Sequence, residues 1–272
     1  MNKNYLSKEK LDILFEKIVQ CARFAKETQS QIIREYKTDG SVLTKTDIEI
    51  SNIIIKTINK LFPLCNVISE ESLTKFNKEA PFTFILDPID GTDVYSQGLN
   101  SYAIALGILD QNRIPVGSMI VAPRFGIARE ELQVRLDPGD ELLIDNAPFI
   151  TYKNKDVPHQ ITISSKLQKK LDFSLYNGKV RTFGSTILQI LSPLIFSNME
   201  GCINQRAYAW DIAASHAVLL KMDLNVVYPN KEPLLYDDDL LIERKTCKDI
   251  IYCGSAKCIE TLLKVLPPKN NN

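Results

Sequence analysis

A chain of 272 residues with 44% hydrophobic content can bury a substantial core, as one large domain or as two subdomains sharing a cleft. Lys plus Arg and Asp plus Glu both number 33, so no net field draws the chain onto nucleic acid or an anionic membrane. The N-terminal stretch is broken by charges every few residues, and no apolar run approaches the roughly 20 residues of a membrane helix, which predicts a cytoplasmic protein with no membrane partner.

In chain order, Leu11, Leu14, Phe15, Ile18, Ala22, Ala25, Ile32 and Tyr36 fall at helical spacing, predicting an amphipathic helix from Lys8 to Tyr36. Lys37 to Ser41 reads as a loop. A second helix then starts at Thr46 or Asp47 and stops at Pro63, with Ile50, Ile54, Ile58 and Leu61 on its buried stripe. Strands are predicted at 66–69 and 82–87, each ending in acid, followed by a hairpin of 102–109 and 115–121 in a mixed or antiparallel sheet.

Beyond residue 150 the pattern alternates: strand 160–164, helix 165–171, strand 179–182, helix 185–197, strand 201–204, helix 211–222, strands 225–228 and 249–253, and helix 255–266. This predicts an α/β (α+β) chain with an N-terminal α+β subdomain over 1–150, a C-terminal α/β subdomain over 151–268 and a disordered tail over 269–272. The tail's character starts at Pro267.

Six cysteines, Cys21, Cys65, Cys202, Cys247, Cys253 and Cys258, lack CxxC spacing and read as buried free thiols. With only His159 and His216 in the chain, an imidazole-rich metal site is disfavoured and hard oxygen ligands remain.

Such ligands crowd into Asp87-Pro88-Ile89-Asp90-Gly91-Thr92. A strand delivers Asp87 at its end, Pro88 fixes a turn, and Asp90 returns a second carboxylate beside the first, with the Ile89 carbonyl aimed the same way. Mixed oxygen donors packed this closely suit Mg2+, and without a cation the carboxylates repel. Gly91 and Thr92 open a short helical segment whose amides suit a phosphate. Ser69-Glu70-Glu71-Ser72 places further acid after the preceding strand, and the residues leave open which of the two carboxylates reaches the cation. Trp210-Asp211-Ile212 sets an aspartate at a helix start behind the only Trp.

Together, Glu-Glu after a strand, DPIDGT and WDIAA, in this order and spacing, resemble the inositol monophosphatase family and its wider group of fructose-1,6-bisphosphatases and 3'(2'),5'-bisphosphate nucleotidases. The resemblance covers about residues 8 to 266 and extends to KTDGSVLT with Thr46-Asp47, to Gly107 through Pro123, and to Arg181 through Ser185. It implies a layered αβαβα sandwich and a Mg2+-dependent, lithium-sensitive phosphatase acting on a small phosphate monoester, with two or three Mg2+ per site.

By resemblance, Glu71, Asp87 and the Ile89 carbonyl hold one Mg2+, and Asp87, Asp90 and Asp211 hold another. Glu71, Thr92 and Asp47 are the catalytic group, the Thr92–Asp47 pair orienting the attacking water. Asp90, Gly91, Thr92, Gly184, Ser185, Asn204 and Asp211 contact substrate, and relatives are commonly homodimers. Two cations about 4 Å apart neutralise a phosphate dianion and dispense with a covalent nucleophile. The aspartyl-phosphate alternative fails because its nucleophile position is Pro88.

Substrate is where this chain departs from the pattern. A Glu that binds inositol hydroxyls is replaced by Asn204, and Asp93 follows DGT, where it would repel a second phosphate unless Arg206 or Lys45 reaches the site. Inositol monophosphate leads, with adenosine 3',5'-bisphosphate or fructose 1,6-bisphosphate as alternatives, and a regulatory protein on the same scaffold comes behind both. A Gly-Gly pair is also missing after the 211–222 helix, where Asn225 is expected to supply the left-handed cap.

Overall fold

The computed structural model describes residues 5–38, 40–126, 129–150 and 158–269. Helix α1 (Lys8–Thr28) and helix α2 (Lys45–Leu61) flank a small hairpin of β1 (Glu35–Tyr36) and β2 (Val42–Leu43). The helical stripe of α1 ends eight residues before Tyr36, because after a short 3-10 turn Ile32 is extended and Tyr36 pairs with Val42. The Gln29 side chain also donates to the carbonyls of Tyr95 (3.0 Å) and Leu99 (2.9 Å), tying this segment to another part of the chain. Asp39, in the expected loop, lies outside the described residues.

The larger sheet runs in the order of β3 (Asn66–Ser69), β4 (Phe82–Asp90), β5 (Ala103–Asp110), β6 (Pro115–Pro123), β7 (Glu131–Leu136), β8 (Leu143–Ile144) and β9 (Ala147–Pro148). Only β3 and β4 pair in parallel; the rest of its pairs are antiparallel, so the sheet is mixed. Helix α3 (Thr92–Ser96) follows β4. β7 buries Leu132, Val134 and Leu136 alternately, a period-two signal that the predicted elements do not include.

The smaller sheet contains β10 (Gln160–Ile163), β11 (Lys179–Arg181), β12 (Gly201–Asn204), β13 (Asn225–Val227) and β14 (Ile251–Gly254), in the order β11-β10-β12-β14-β13. Its helices are α4 (Thr186–Ile195), α5 (Ala213–Lys221), α6 (Asp238–Leu241) and α7 (Ala256–Val265). The predicted helix 165–171 shrinks to a 3-10 turn at Ser165–Leu167, because Leu171 bridges Pro268 and the Asp172 N–H donates to the Pro267 carbonyl. The same contacts fasten the start of the expected tail: the Lys269 N–H donates to the Lys170 carbonyl at 2.8 Å, while residues 270–272 lie outside the described residues. After α5 the left-handed residue is Asp223 (φ 55°), and Asn225 already belongs to β13.

Alternation within strands builds the layers. Phe84 and Leu86 face α1 and α2 with Ile18, Ile50 and Ile54, whereas Ile85 faces the opposite side with Ile187 and Leu191 of α4 and Val218 of α5. That inner layer also meets Cys202 and Cys253 from the smaller sheet. The far face of the smaller sheet presents Ile161, Ile163 and Ile203 to Cys258, Ile259 and Leu262 of α7. The result is an αβαβα sandwich. All six cysteines are free, and five are buried, with Cys65 partly so. Among the described residues no helix is long and apolar enough to cross a membrane.

Candidate active site

Asp87 and Asp90 are three residues apart, which in a regular strand would put them on opposite faces. β4 instead continues through Asp90 with a bulge, pairing Asp87 with Ala105 and Asp90 with Ala103. The extra residue swings Asp90 back to the face of Asp87, and Pro88, which has no N–H to donate, falls inside this irregularity. The predicted turn is thus a bulge. Gly91 follows at φ 90°, and a Cβ there would stand 3.1 Å from the Ser101 carbonyl oxygen and 3.2 Å from the Ser185 Cβ.

Asp211 arrives from the other half, two residues before α5. Its Oδ2 accepts from the Tyr208 N–H at 2.7 Å, so it closes the turn before the helix while Ile212 is the cap residue. α5 comes close to the larger sheet because β5 has Gly107 beneath it: a Cβ there would sit 2.7 Å from the Ala213 Cβ. One carboxylate oxygen each from Asp87, Asp90 and Asp211 then lie within 4.8 Å of one another.

The charges are crowded. Burial pushes the Asp87 carboxyl well above its ordinary range, and Glu70, Asp90, Asp211 and Asp47 push it further. Asp211 is raised by burial, then by Asp90 and Glu70. Asp90 is pushed up to about 7 by burial, against hydrogen bonds from the Ser185 hydroxyl and from the Ile187 (2.7 Å) and Thr186 (3.1 Å) amides at the start of α4. Among the described residues, the Asp87 Oδ1 is buried without a hydrogen-bond partner. An orphaned carboxylate oxygen among mutually repelling carboxylates is the donor set a hard divalent cation fits.

The acid beside this cluster is Glu70. β3 and β4 pair in parallel with a constant offset, Asn66 to Thr83 and Ser69 to Leu86, and the Glu70 N–H donates to the Leu86 carbonyl at 3.3 Å. Continuing that register sets residue 70 beside Asp87 and leaves Glu71 in the turn. Glu70 lines the cavity, and it raises the pKa values of Asp47, Asp87 and Asp90. Glu71, expected as the ligand, is not among the lining residues; its carboxylate pairs with Lys37 at 2.6 Å, as Glu70 does at 2.7 Å. Burial pulls the Lys37 ammonium down, but the two carboxylates outweigh it and raise its pKa. The signal for Glu70 is strand register, which a motif alone does not carry.

Thr92 and Asp47 meet. The Thr92 hydroxyl lies 3.1 Å from the Asp47 Oδ1 and 2.9 Å from the Ile89 carbonyl oxygen. Asp47 is also the capping-box partner of Thr44, whose N–H donates to its Oδ2 at 2.9 Å. Burial raises Asp47 to about 7 despite the bonds from Thr44 and Thr92.

Glu70, Asp87, Asp90, Thr92 and Asp211 open onto a cavity of about 560 Å³ that Ile89, Gly91 and Gly184 also line, while Asp47 lies buried behind Thr92 and is not among the lining residues. Ser185 sits just behind it, fully buried, capping α4 and donating to Asp90. Asn204 is not at the cavity. It is fully buried, its carbonyl oxygen accepts from Gln189 (2.9 Å) and Ser164 (3.1 Å), and its amide lies 3.2 Å from the Cys202 sulfur. Lacking the charge of a glutamate, the side chain satisfies itself inside the α4 layer. The next residues, Gln205 and Arg206, line the wall together with Lys166 and Tyr208, and Asp93 faces the same space while accepting from Gln97 at 3.0 Å. Lys45 is exposed and is not among the lining residues.

The model of the inositol monophosphatase family matches residues 9–257. The Nus factor SuhB of Pasteurella multocida is 25% identical over 67% of this chain and 70% of its own length. A fructose-1,6-bisphosphatase/inositol-1-monophosphatase of Thermotoga maritima is 33% identical over 64% and 66%. A solved IMPase/NADP phosphatase complexed with Mg2+ and phosphate superposes with a TM-score of 0.76 at 17% identity, covering 97% of this chain and 96% of that one.

Proposed function

This chain belongs to the inositol monophosphatase family, a family of metal-dependent phosphoric monoester hydrolases, and from that premise we propose that it is a Mg2+-dependent phosphatase of a small phosphorylated polyol or sugar, inositol monophosphate first among them. The observation that carries the reading is the Asp87–Asp90–Asp211 cluster with its orphaned Asp87 oxygen.

In this reading Glu70, Asp87 and the Ile89 carbonyl would hold one cation, and Asp87, Asp90 and Asp211 would hold a second. Glu70 takes the place that the motif suggested for Glu71, on the strength of its register beside Asp87. When bound, Mg2+ supplies charge neutralisation for the phosphate dianion and makes water a competent nucleophile near neutral pH. The chain's own residues do the rest. Thr92, whose hydroxyl is held by Asp47 and the Ile89 carbonyl, would orient the water through its oxygen; as the water attacks phosphorus, the water's proton would pass to the Thr92 oxygen while the Thr92 hydroxyl proton passes to the Asp47 carboxylate. The Gly91 and Thr92 amides bind phosphate oxygens, and the α4 amides and Ser185 keep Asp90 aimed at the cluster.

Lithium inhibition and a homodimer belong to the same reading, and six free thiols suit the reducing cytoplasm. Phosphate release from a panel of sugar, polyol and nucleotide phosphates, with Mg2+ and with EDTA, tests it; no Mg2+-dependent release from any member refutes it.

A second reading, a bisphosphate substrate, is favoured by Arg206 and Lys166 on the cavity wall, which offset the charge of Asp93. It is distinguished by a higher kcat/KM for adenosine 3',5'-bisphosphate or fructose 1,6-bisphosphate than for inositol 1-phosphate.

A further inference from the structure

Arg244 lies just after α6, far in sequence from every residue of the cluster, and its backbone adopts a left-handed conformation (φ 53°) that a non-glycine residue takes up at a cost. Its side chain is partly buried. One guanidinium nitrogen, Nη1, donates to the Ser72 carbonyl at 2.8 Å; the other, Nη2, donates to the Ser69 carbonyl at 2.8 Å and the Glu70 carbonyl at 3.0 Å. The whole acidic turn after β3 is thus gripped through its backbone, which leaves the carboxylates of Glu70 and Glu71 to other partners.

The face of the same guanidinium lies over the Trp210 ring, 4.8 Å from its centroid. Trp210 stacks in turn on Tyr208 at 4.7 Å with planes 10° apart, and the Tyr208 N–H donates to the Asp211 carboxylate. A continuous chain of contacts therefore runs from the carbonyls of 69–72, through Arg244, Trp210 and Tyr208, to Asp211. It joins a turn of the larger sheet to a turn of the other half, and each of those turns carries an acid of the site.

We propose that Arg244 is a positioning residue that sets the spacing of Glu70 from Asp211 and thereby the affinity of the site for divalent cations. This rests on the metal-site reading above. A planar fork is required, because three carbonyls and an aromatic face must be engaged at once; a lysine ammonium offers one point of charge and no face to stack. Residues that orient metal ligands without touching the metal change its affinity by roughly 10–100-fold when removed.

Mg2+ titration calorimetry on the metal-free wild type, R244A and R244K, paired with Mg2+-activation curves, tests this. R244A is expected to bind Mg2+ at least about tenfold more weakly. R244K is expected to lose most of that affinity too, although it keeps the charge. In both variants raising Mg2+ should restore kcat, with the substrate KM at saturating Mg2+ unchanged, a split that loss of folded protein does not produce. Melting curves in EDTA report whether each variant folds, and if R244A does not, R244K decides the matter. Mg2+ affinities equal to wild type, or a kcat loss that Mg2+ does not restore, overturn the proposal and leave the phosphatase reading standing. A wild type that takes up no Mg2+ overturns both.

Discussion

The wall of the cleft built by β3 and β4 and the wall built by β10, β12 and residues 205–211 differ in how their side chains are placed. On the first, Asp87, Asp90, Gly91 and Thr92 come from six consecutive residues, and one bulge and one parallel register fix where they face. On the second, each position depends on what lies behind it: Asn204 turns inward because Gln189 and Ser164 offer it partners, and the cavity passes to Gln205 and Arg206. Local backbone geometry places the acid cluster; long-range polar packing decides which side chains of the other wall face the cavity.

The largest expected effect falls on the first wall. Asp87→Asn removes the acid shared between both proposed cation sites and should lower kcat/KM by roughly 10³-fold, the several kcal/mol that metal-ion charge stabilisation supplies. It also relieves repulsion among buried carboxylates, so the variant should melt at a higher temperature than wild type in EDTA. Retained activity, or a lower melting temperature in EDTA, would break the account of this wall as an acid cluster held together by a cation.

The same crowding sets a pH dependence. Asp47 and Asp90 are raised to about 7 by burial, against the hydrogen bonds they accept, from an ordinary value near 4. Between about 4 and about 7 the folded state keeps protons on both carboxyls that the unfolded state has released; burial holds the His216 imidazole down to about 4 and works the other way, but with one proton against two, so metal-free stability should fall as pH rises through that window. Saturating Mg2+, which binds the deprotonated folded form, should flatten or reverse the trend. Melting temperatures in EDTA that stay level or climb from pH 4 to 7 contradict the assignment.

Glu70→Gln and Glu71→Gln sharpen the comparison at its most ambiguous point. Removing the acid that lies beside Asp87 should weaken Mg2+ activation by roughly 10–100-fold, whereas removing its neighbour disturbs a partly exposed pair with Lys37 and should shift it by no more than about fivefold. The reverse order would return the role to Glu71 and show that the register does not extend past Ser69.

These outcomes bear on what can be read without a structure. Asp87, Asp90, Thr92 and Asp211 are legible because each belongs to a compact motif, and most helices and strands follow from periodicities of two or roughly 3.6, whereas their stacking into five layers is implied only by the family resemblance. Glu70 and Glu71 cannot be told apart from a motif, since adjacent acids in a turn differ only through a strand partner 17 residues away. Arg244 carries no local signal at all; its partners are Ser69, Glu70, Ser72 and Trp210. The early end of α1 is a similar case, because its stripe would continue were Tyr36 not paired with Val42.

On the second wall, Asn204→Ala should cost roughly 1–3 kcal/mol of stability by leaving Gln189 and Ser164 without their shared acceptor. Its KM should stay at the wild-type value, because the side chain does not line the cavity. A raised KM for inositol 1-phosphate with unchanged stability would place Asn204 at the substrate after all.

Arg206→Ala is the mildest change and the most informative about substrate. Arg206 is exposed, and its Nε donates to the Cys247 carbonyl at 2.9 Å, which holds the stem while the guanidinium stays in contact with water. A solvated charge contributes about 1 kcal/mol or less to an ion pair, so KM for a bisphosphate should rise no more than about fivefold, and the difference should shrink as salt screens it. KM for inositol 1-phosphate, whose single phosphate would lie at the acid cluster in the proposed reading, should not move. An equal change for both substrates would mean that Arg206 acts on the phosphate being transferred, and the division of labour between the two walls would fail. A rise confined to the bisphosphate would instead identify this wall as the place where the chain chooses among the substrates of its family.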